Sequence, residues 1–198
     1  MKDLKRKMVK AGCFIILLIG CGMCGIYAVL LKLYSPKPAD KCPSLEELLL
    51  PITVFPEEWE METPLGLQWT DGLGRCNGVI GRQFRSRGGY ASQRIIQLGS
   101  EWEAALQLKA ELRELREPRP GASWVEPKWY ESRIANEFQI RCMSDPGLGI
   151  TECYILARYR EKVCIFEAAM APAFDGGLTK EELMKVLKEM DRLFGKGK

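Results

Sequence analysis

The 198-residue chain contains no histidine. This removes the commonest general base and the commonest metal ligand together, and it excludes Ser-His-Asp and Cys-His catalysis. Beyond residue 34 there is also no C-x-x-C pair, the usual signature of a thiolate metal centre or a thioredoxin-like redox site. Nor is there a cationic excess on the folded part. Of 29 basic and 26 acidic side chains, residues 1–34 hold six and one, which leaves 23 against 25 and a net charge of −2 for the remainder. A nucleic-acid-binding domain concentrates cations on its own surface, so no nucleic-acid partner is expected.

What is present is led by Ala11–Leu31, an apolar run with no charged side chain, preceded by Lys2, Lys5, Arg6, Lys7 and Lys10. A helix of about 20 apolar residues crosses a bilayer core, and flanking basic residues stay on the cytoplasmic side. The expected organisation is a basic cytoplasmic tip over 1–10, a transmembrane anchor over 11–34, a linker over 35–43 and an extracytoplasmic domain over 44–198. The expected location is the cell inner membrane, crossed once.

Leu18-Ile19-Gly20-Cys21 supports a competing reading. It matches a lipobox, in which the chain is cut before Cys21 and that cysteine is lipidated. The apolar character continues from Gly22 to Leu31, which favours the uncleaved span; both readings put the domain on the same side. Within the span, Gly20, Cys21, Cys24, Gly25 and Ala28 supply small residues at four-residue spacing, the pattern that lets a second membrane helix approach closely.

Downstream, Ser35-Pro36-Lys37-Pro38 reads as a stiff spacer. Ser44-Leu45-Glu46-Glu47 has capping-box form and predicts a short helix stopped by Pro51. Leu67–Thr70, Val79–Arg85 and Gln93–Leu98 read as strands between Gly/Asn-rich breaks. Ser100 and Glu103 open a long helix whose stripe of Trp102, Ala105, Leu108, Leu112 and Leu115 predicts one buried face. Phe138, Ile140 and Cys142 alternate with polar residues. Cys153–Tyr159 and Lys162–Ala169 form a hairpin about Arg160-Glu161, in which Tyr159 faces Lys162, Ala157 faces Cys164, Ile155 faces Phe166 and Cys153 faces Ala168. Thr179 to Glu182 cap a last helix with the stripe Leu183, Val186, Leu187, Met190, Leu193 and Phe194. Each half thus reads as three strands and a helix. The expected fold is α+β, an antiparallel sheet with both long helices on one face, preceded by the single transmembrane helix.

Five cysteines lie beyond the anchor. Cys142 and Cys153 flank the turn at Asp145-Pro146-Gly147 and point to one face of neighbouring strands, so they are the favoured disulfide, with Cys42–Cys76 the second. Cys164 sits on an apolar face and reads as a buried thiol. Gly72–Gly78 lacks the Lys-Ser/Thr ending of a phosphate loop and reads as turn glycines. Arg82 and Arg85 on one strand, and Trp124 and Trp129 in a Pro-flanked segment, are candidate interface residues. Glu57, Glu58, Glu60, Glu62 and Asp71 could offer a carboxylate pair for hydrolysis, but no spacing selects two of them.

Ala135-Asn136-Glu137-Phe138, Cys142, Cys153, Ala157-Arg158-Tyr159 and Leu178–Leu183 through Met190-Asp191-Arg192 make the second half resemble bacterial membrane-tethered, lipoprotein-like extracytoplasmic proteins. The resemblance implies a location and no activity or cofactor. The expected function is a non-catalytic anchored domain, an accessory or binding subunit of a membrane or cell-envelope complex that meets another membrane protein. Carriage of a small or lipid ligand is the alternative, and a carboxylate-dependent hydrolase stands behind it.

Overall fold

The computed structural model describes residues 37–38 (backbone), 42–71, 73–115, 117–118 and 120–196. The expected anchor, the lipobox at Cys21 and the packing stripe Gly20, Cys21, Cys24, Gly25 and Ala28 lie outside the described residues. Among the described residues no helix is long and apolar enough to cross a membrane.

The fold is α+β. Its strands are β1 (Lys37–Pro38), β2 (Glu60–Met61), β3 (Leu65–Thr70), β4 (Cys76–Arg85), β5 (Tyr90–Gln97), β6 (Ser123–Val125), β7 (Glu137–Asp145), β8 (Gly149–Tyr159) and β9 (Lys162–Ala169). They form one antiparallel sheet in the order β1-β3-β4-β5-β9-β8-β7-β6, with β2 beside β4. Among the described residues two α-helices complete it: α1 (Glu101–Glu114) after β5, and α2 (Lys180–Gly195) after β9.

The β8–β9 hairpin has the register that the alternation predicts, with Tyr159 opposite Lys162 and Ile155 opposite Phe166. Arg160 takes a left-handed φ of 56° at its tip. Its N–H donates to Asn136 Oδ1 at 2.7 Å, which helps hold a conformation that side chains disfavour. The α2 stripe is buried as its spacing predicts, behind a capping box formed by Thr179 and Glu182.

The two helices do not share a face. The α2 stripe packs with Ile80, Phe84, Ile95, Ile155, Cys164 and Phe166 on one side of the sheet. Ala104 and Leu108 of α1 pack with Leu156 and Val163 on the other. The two contact sets are consistent with strand alternation, since Ile155 and Leu156 are neighbours on one strand and point to opposite faces. The expectation of both helices on one face is therefore corrected. The halves β3-β4-β5-α1 and β7-β8-β9-α2 repeat one order, but a two-fold axis normal to the sheet would put both helices on one side. The halves are not related by it.

The stripe predicted for α1 holds at Leu108, Leu112 and Leu115 but not at Trp102. Ala104 and Leu108 are buried, whereas Trp102 is 70% exposed. The predicted helix at Ser44 is reduced to a 3-10 turn over Glu46–Leu48, with a second at Ile52–Val54. Leu45, Leu49, Leu50, Phe55 and Trp59 lay this segment over the α2 face. Gln93, itself buried, fastens it: Leu50 N donates to Oε1 at 2.7 Å, and Nε2 donates to Leu48 O at 3.3 Å. Burial of an amide side chain is tolerated because its donor and acceptor capacity is used.

Candidate functional site

One end of the domain gathers the features that bear on function. β1 pairs Lys37 with Thr70 and Pro38 with Trp69, and Cys42 is bridged to Cys76, Cα–Cα 5.7 Å. The chain therefore joins the sheet at the β3–β4 turn. The segment expected as a linker is partly built into the domain. Gln97 opposes both Gly78 and Lys162, and Leu98 N donates to Glu161 O at 2.9 Å. These pairings bring the β8–β9 turn and the start of α1 to the same end, and the stacking of Phe194 on Tyr159 brings the end of α2 there as well.

The β3–β4 turn is organised by Asp71. Its carboxylate accepts from Leu73 N at 2.9 Å, Arg75 N at 3.0 Å and Arg75 Nε at 2.7 Å. Burial alone would raise the Asp71 carboxyl; the Arg75 backbone and guanidinium donors and the Leu73 N–H outweigh it and hold the group below its usual range. Gly74 has φ +77°, a conformation that favours glycine. The turn leaves Leu73 63% exposed. Arg75 Nη1 also lies 3.6 Å from Glu103 Oε1, so the turn bearing Leu73 is tied to the helix turn bearing Trp102.

Around the β8–β9 turn and the end of α2 opens a cleft of about 840 Å³, with Leu48, Ile134 and Phe194 on its walls and Arg160, Lys162 and Lys196 at its rim. Glu47 and Glu161 share the rim, and Lys162 Nζ pairs with Glu161 Oε1 at 2.5 Å. Asp191 holds the cleft wall in place. It accepts from Tyr130 Oη at 2.7 Å, Ser132 Oγ at 2.7 Å and Tyr159 Oη at 2.9 Å. Burial, reinforced by Asp191, raises the Tyr159 hydroxyl far above its ordinary value, so it stays a donor.

A second feature is the uncovered part of the α1 face. Leu67, Val79, Ile96 and Val163 are successive cross-strand partners and form one apolar row. Val163 is buried under α1; at the other end of the row Leu67 is 61% exposed, and Leu65 beside it is 80% exposed. The row thus runs out from beneath the helix to the β3 side of the sheet.

The residues singled out in the sequence fall in several places. The structure bridges Cys142 to Cys153, which oppose each other on β7 and β8, as well as Cys42 to Cys76. Cys164 is a buried free thiol, pushed up to about 12 by burial despite a 3.6 Å contact from Gln93 Nε2. Arg82 turns to the α2 face and donates to Leu50 O at 3.2 Å, while Arg85 pairs with Glu62 at 3.1 Å in solvent. Trp124 stands edge-on to Tyr154, and Trp129 packs on the main core with Lys180 Nζ 5.7 Å over its ring. These four candidate interface residues are not brought together. Of the acidic run, Asp71 is spent on the turn. Sequence reasoning missed Leu65, Leu67, Leu73 and Trp102 as exposed residues; the adjacent Leu65-Gly66-Leu67 alternation was the available signal for the first two.

Comparison with protein-family models, with curated proteins and with solved structures returns no match.

Proposed function

We propose that the chain is a non-catalytic, membrane-anchored extracytoplasmic domain that serves as an accessory or binding subunit of a membrane or cell-envelope complex. The observation that carries the binding role is the apolar row Leu67–Val79–Ile96–Val163, which continues past the cover of α1 and leaves Leu65 and Leu67 in solvent. An exposed apolar strip continuous with a buried apolar row fits a protein-contact surface. Two disulfides in a domain of this size support an oxidising compartment, and the basic tip before Ala11–Leu31 supports the orientation. The partner is a membrane protein, because the strip lies on the side of the sheet where the anchored chain joins.

Carriage of a ligand between sheet and α2 has less support, since Phe84, Phe166, Leu187 and Met190 fill that space and are almost fully buried.

A photo-crosslinking residue at position 67 of the full chain in membranes tests the reading. It should give a discrete adduct that is lost when Leu65 is changed to Asp, while the same probe at position 148 gives none. A carboxyl-terminal tag reachable only from the cytosol would overturn the orientation and with it the oxidised state of the cysteines.

A further inference from the structure

We propose that the anchored end of the domain lies against the outer surface of its own bilayer, with Trp102 and Leu73 in the interfacial layer. This rests on the reading of Ala11–Leu31 as a membrane anchor.

The reach of the chain is the first argument. Six residue steps separate Leu31 from Lys37, and a fully extended chain covers at most about 21 Å over that span. Lys37 is held at Thr70 by β1 pairing, and Cys42 is held at Cys76 by a disulfide, so the sheet cannot swing its β3–β4 turn far from the membrane.

The second argument is chemical. Leu73 is at the tip of that turn, and Trp102 is in the first turn of α1 beside it; both are mostly exposed, which a domain surrounded by water gains nothing from. Tryptophan is the side chain most suited to the boundary between lipid and water, where its ring is dehydrated and its N–H stays wet. The Arg75–Glu103 pair and the Asp71–Arg75 hydrogen bonds link the turn bearing Leu73 to the helix turn bearing Trp102. Arg160 and Lys196, exposed at the rim of the neighbouring cleft, are placed to meet lipid phosphates, although Glu47 stands among them. Leu148 is also exposed, but it lies at the far end of β8 from Tyr159 and has no route to this membrane.

The test is quenching of tryptophan emission by lipids brominated high on the acyl chain. The full-length chain is reconstituted into phosphatidylcholine vesicles containing phosphatidylglycerol. Residues 1–36 carry no tryptophan, so any quenching reports on the domain. Brominated lipid should quench the wild-type chain; W102F should lose roughly half or more of that quenching. L73S should weaken it, and L148S should leave it unchanged. Near-ultraviolet circular dichroism of each variant shows that the fold is kept. A chain that floats with the vesicles after alkaline carbonate treatment, yet is unquenched or equally quenched in W102F, overturns the docking and leaves the anchor standing. A chain that carbonate strips from the vesicles overturns the anchor and the docking together.

Discussion

Arg75 Nη1 lies 3.6 Å from Glu103 Oε1, and Arg75 Nε lies 2.7 Å from Asp71 Oδ2. One guanidinium thus joins the β3–β4 turn to the first turn of α1. The pair is partly exposed, so its direct contribution to stability is small. It links the turn that carries Leu73 to the helix turn that carries Trp102.

The Asp71 carboxyl titrates below its ordinary value in the folded protein. A depressed carboxyl contributes stability that is present above the unfolded value of about 3.9 and is lost as pH falls through the folded one. D71N should therefore destabilise the protein at neutral pH and flatten the acid limb of its stability profile. Urea midpoints measured from pH 7 downward in detergent micelles check this; identical acid limbs would remove Asp71 as the cause.

Gln93 connects the sheet to the segment over it. Q93L removes the acceptor for Leu50 N, which is buried, and leaving such a donor unpaired costs about 1–3 kcal/mol. Denaturant unfolding should show a loss of that size. Hydrogen exchange should locate increased opening at Leu45–Leu50 while the β8–β9 hairpin remains protected.

The two disulfides close loops of different length, with sequence separations of 11 and 34. Chain-entropy reasoning gives about 3 kcal/mol for the C142A/C153A pair and about 4 kcal/mol for C42A/C76A. Only the second should also disturb the membrane contact of Trp102, because Cys42–Cys76 holds the incoming chain at the β3–β4 turn. Equal effects of both pairs on lipid quenching would argue that the domain is positioned some other way.

Cys164 should not react with a thiol reagent in the native protein at pH 8, since burial has raised its thiol to about 12 and no solvent reaches it. Peptide mapping by mass spectrometry should find it labelled only after unfolding. Labelling at native conditions on the minutes scale would mean that β9 opens locally.

Much of the local structure was legible. The α2 stripe, its capping box and the β8–β9 register follow from side-chain periodicity and turn chemistry, which neighbouring residues decide. The α1 stripe was right at Leu108, Leu112 and Leu115 and wrong at its start, because Trp102 and Ala104 are both apolar and lie on different sides of the helix; burial chose Ala104. Arg82 read as an interface residue because a strand cation is ordinarily solvated. Its donation to Leu50 O depends on a segment 32 residues away in the sequence.

The sequence by itself determined the apolar run and its basic flank, the six longer strands and the two long helices, and the absence of histidine chemistry, all of which depend on residue type and short-range order. Only the tertiary structure decided that α1 and α2 lie on opposite faces, that Leu65 and Leu67 end an uncovered row, and that the segment from Lys37 to Cys42 joins the sheet at the β3–β4 turn that carries Leu73. The physical reason is that β5 pairs with β9 and β1 with β3 across long stretches of chain, and local periodicity carries no information about which distant strand becomes a neighbour.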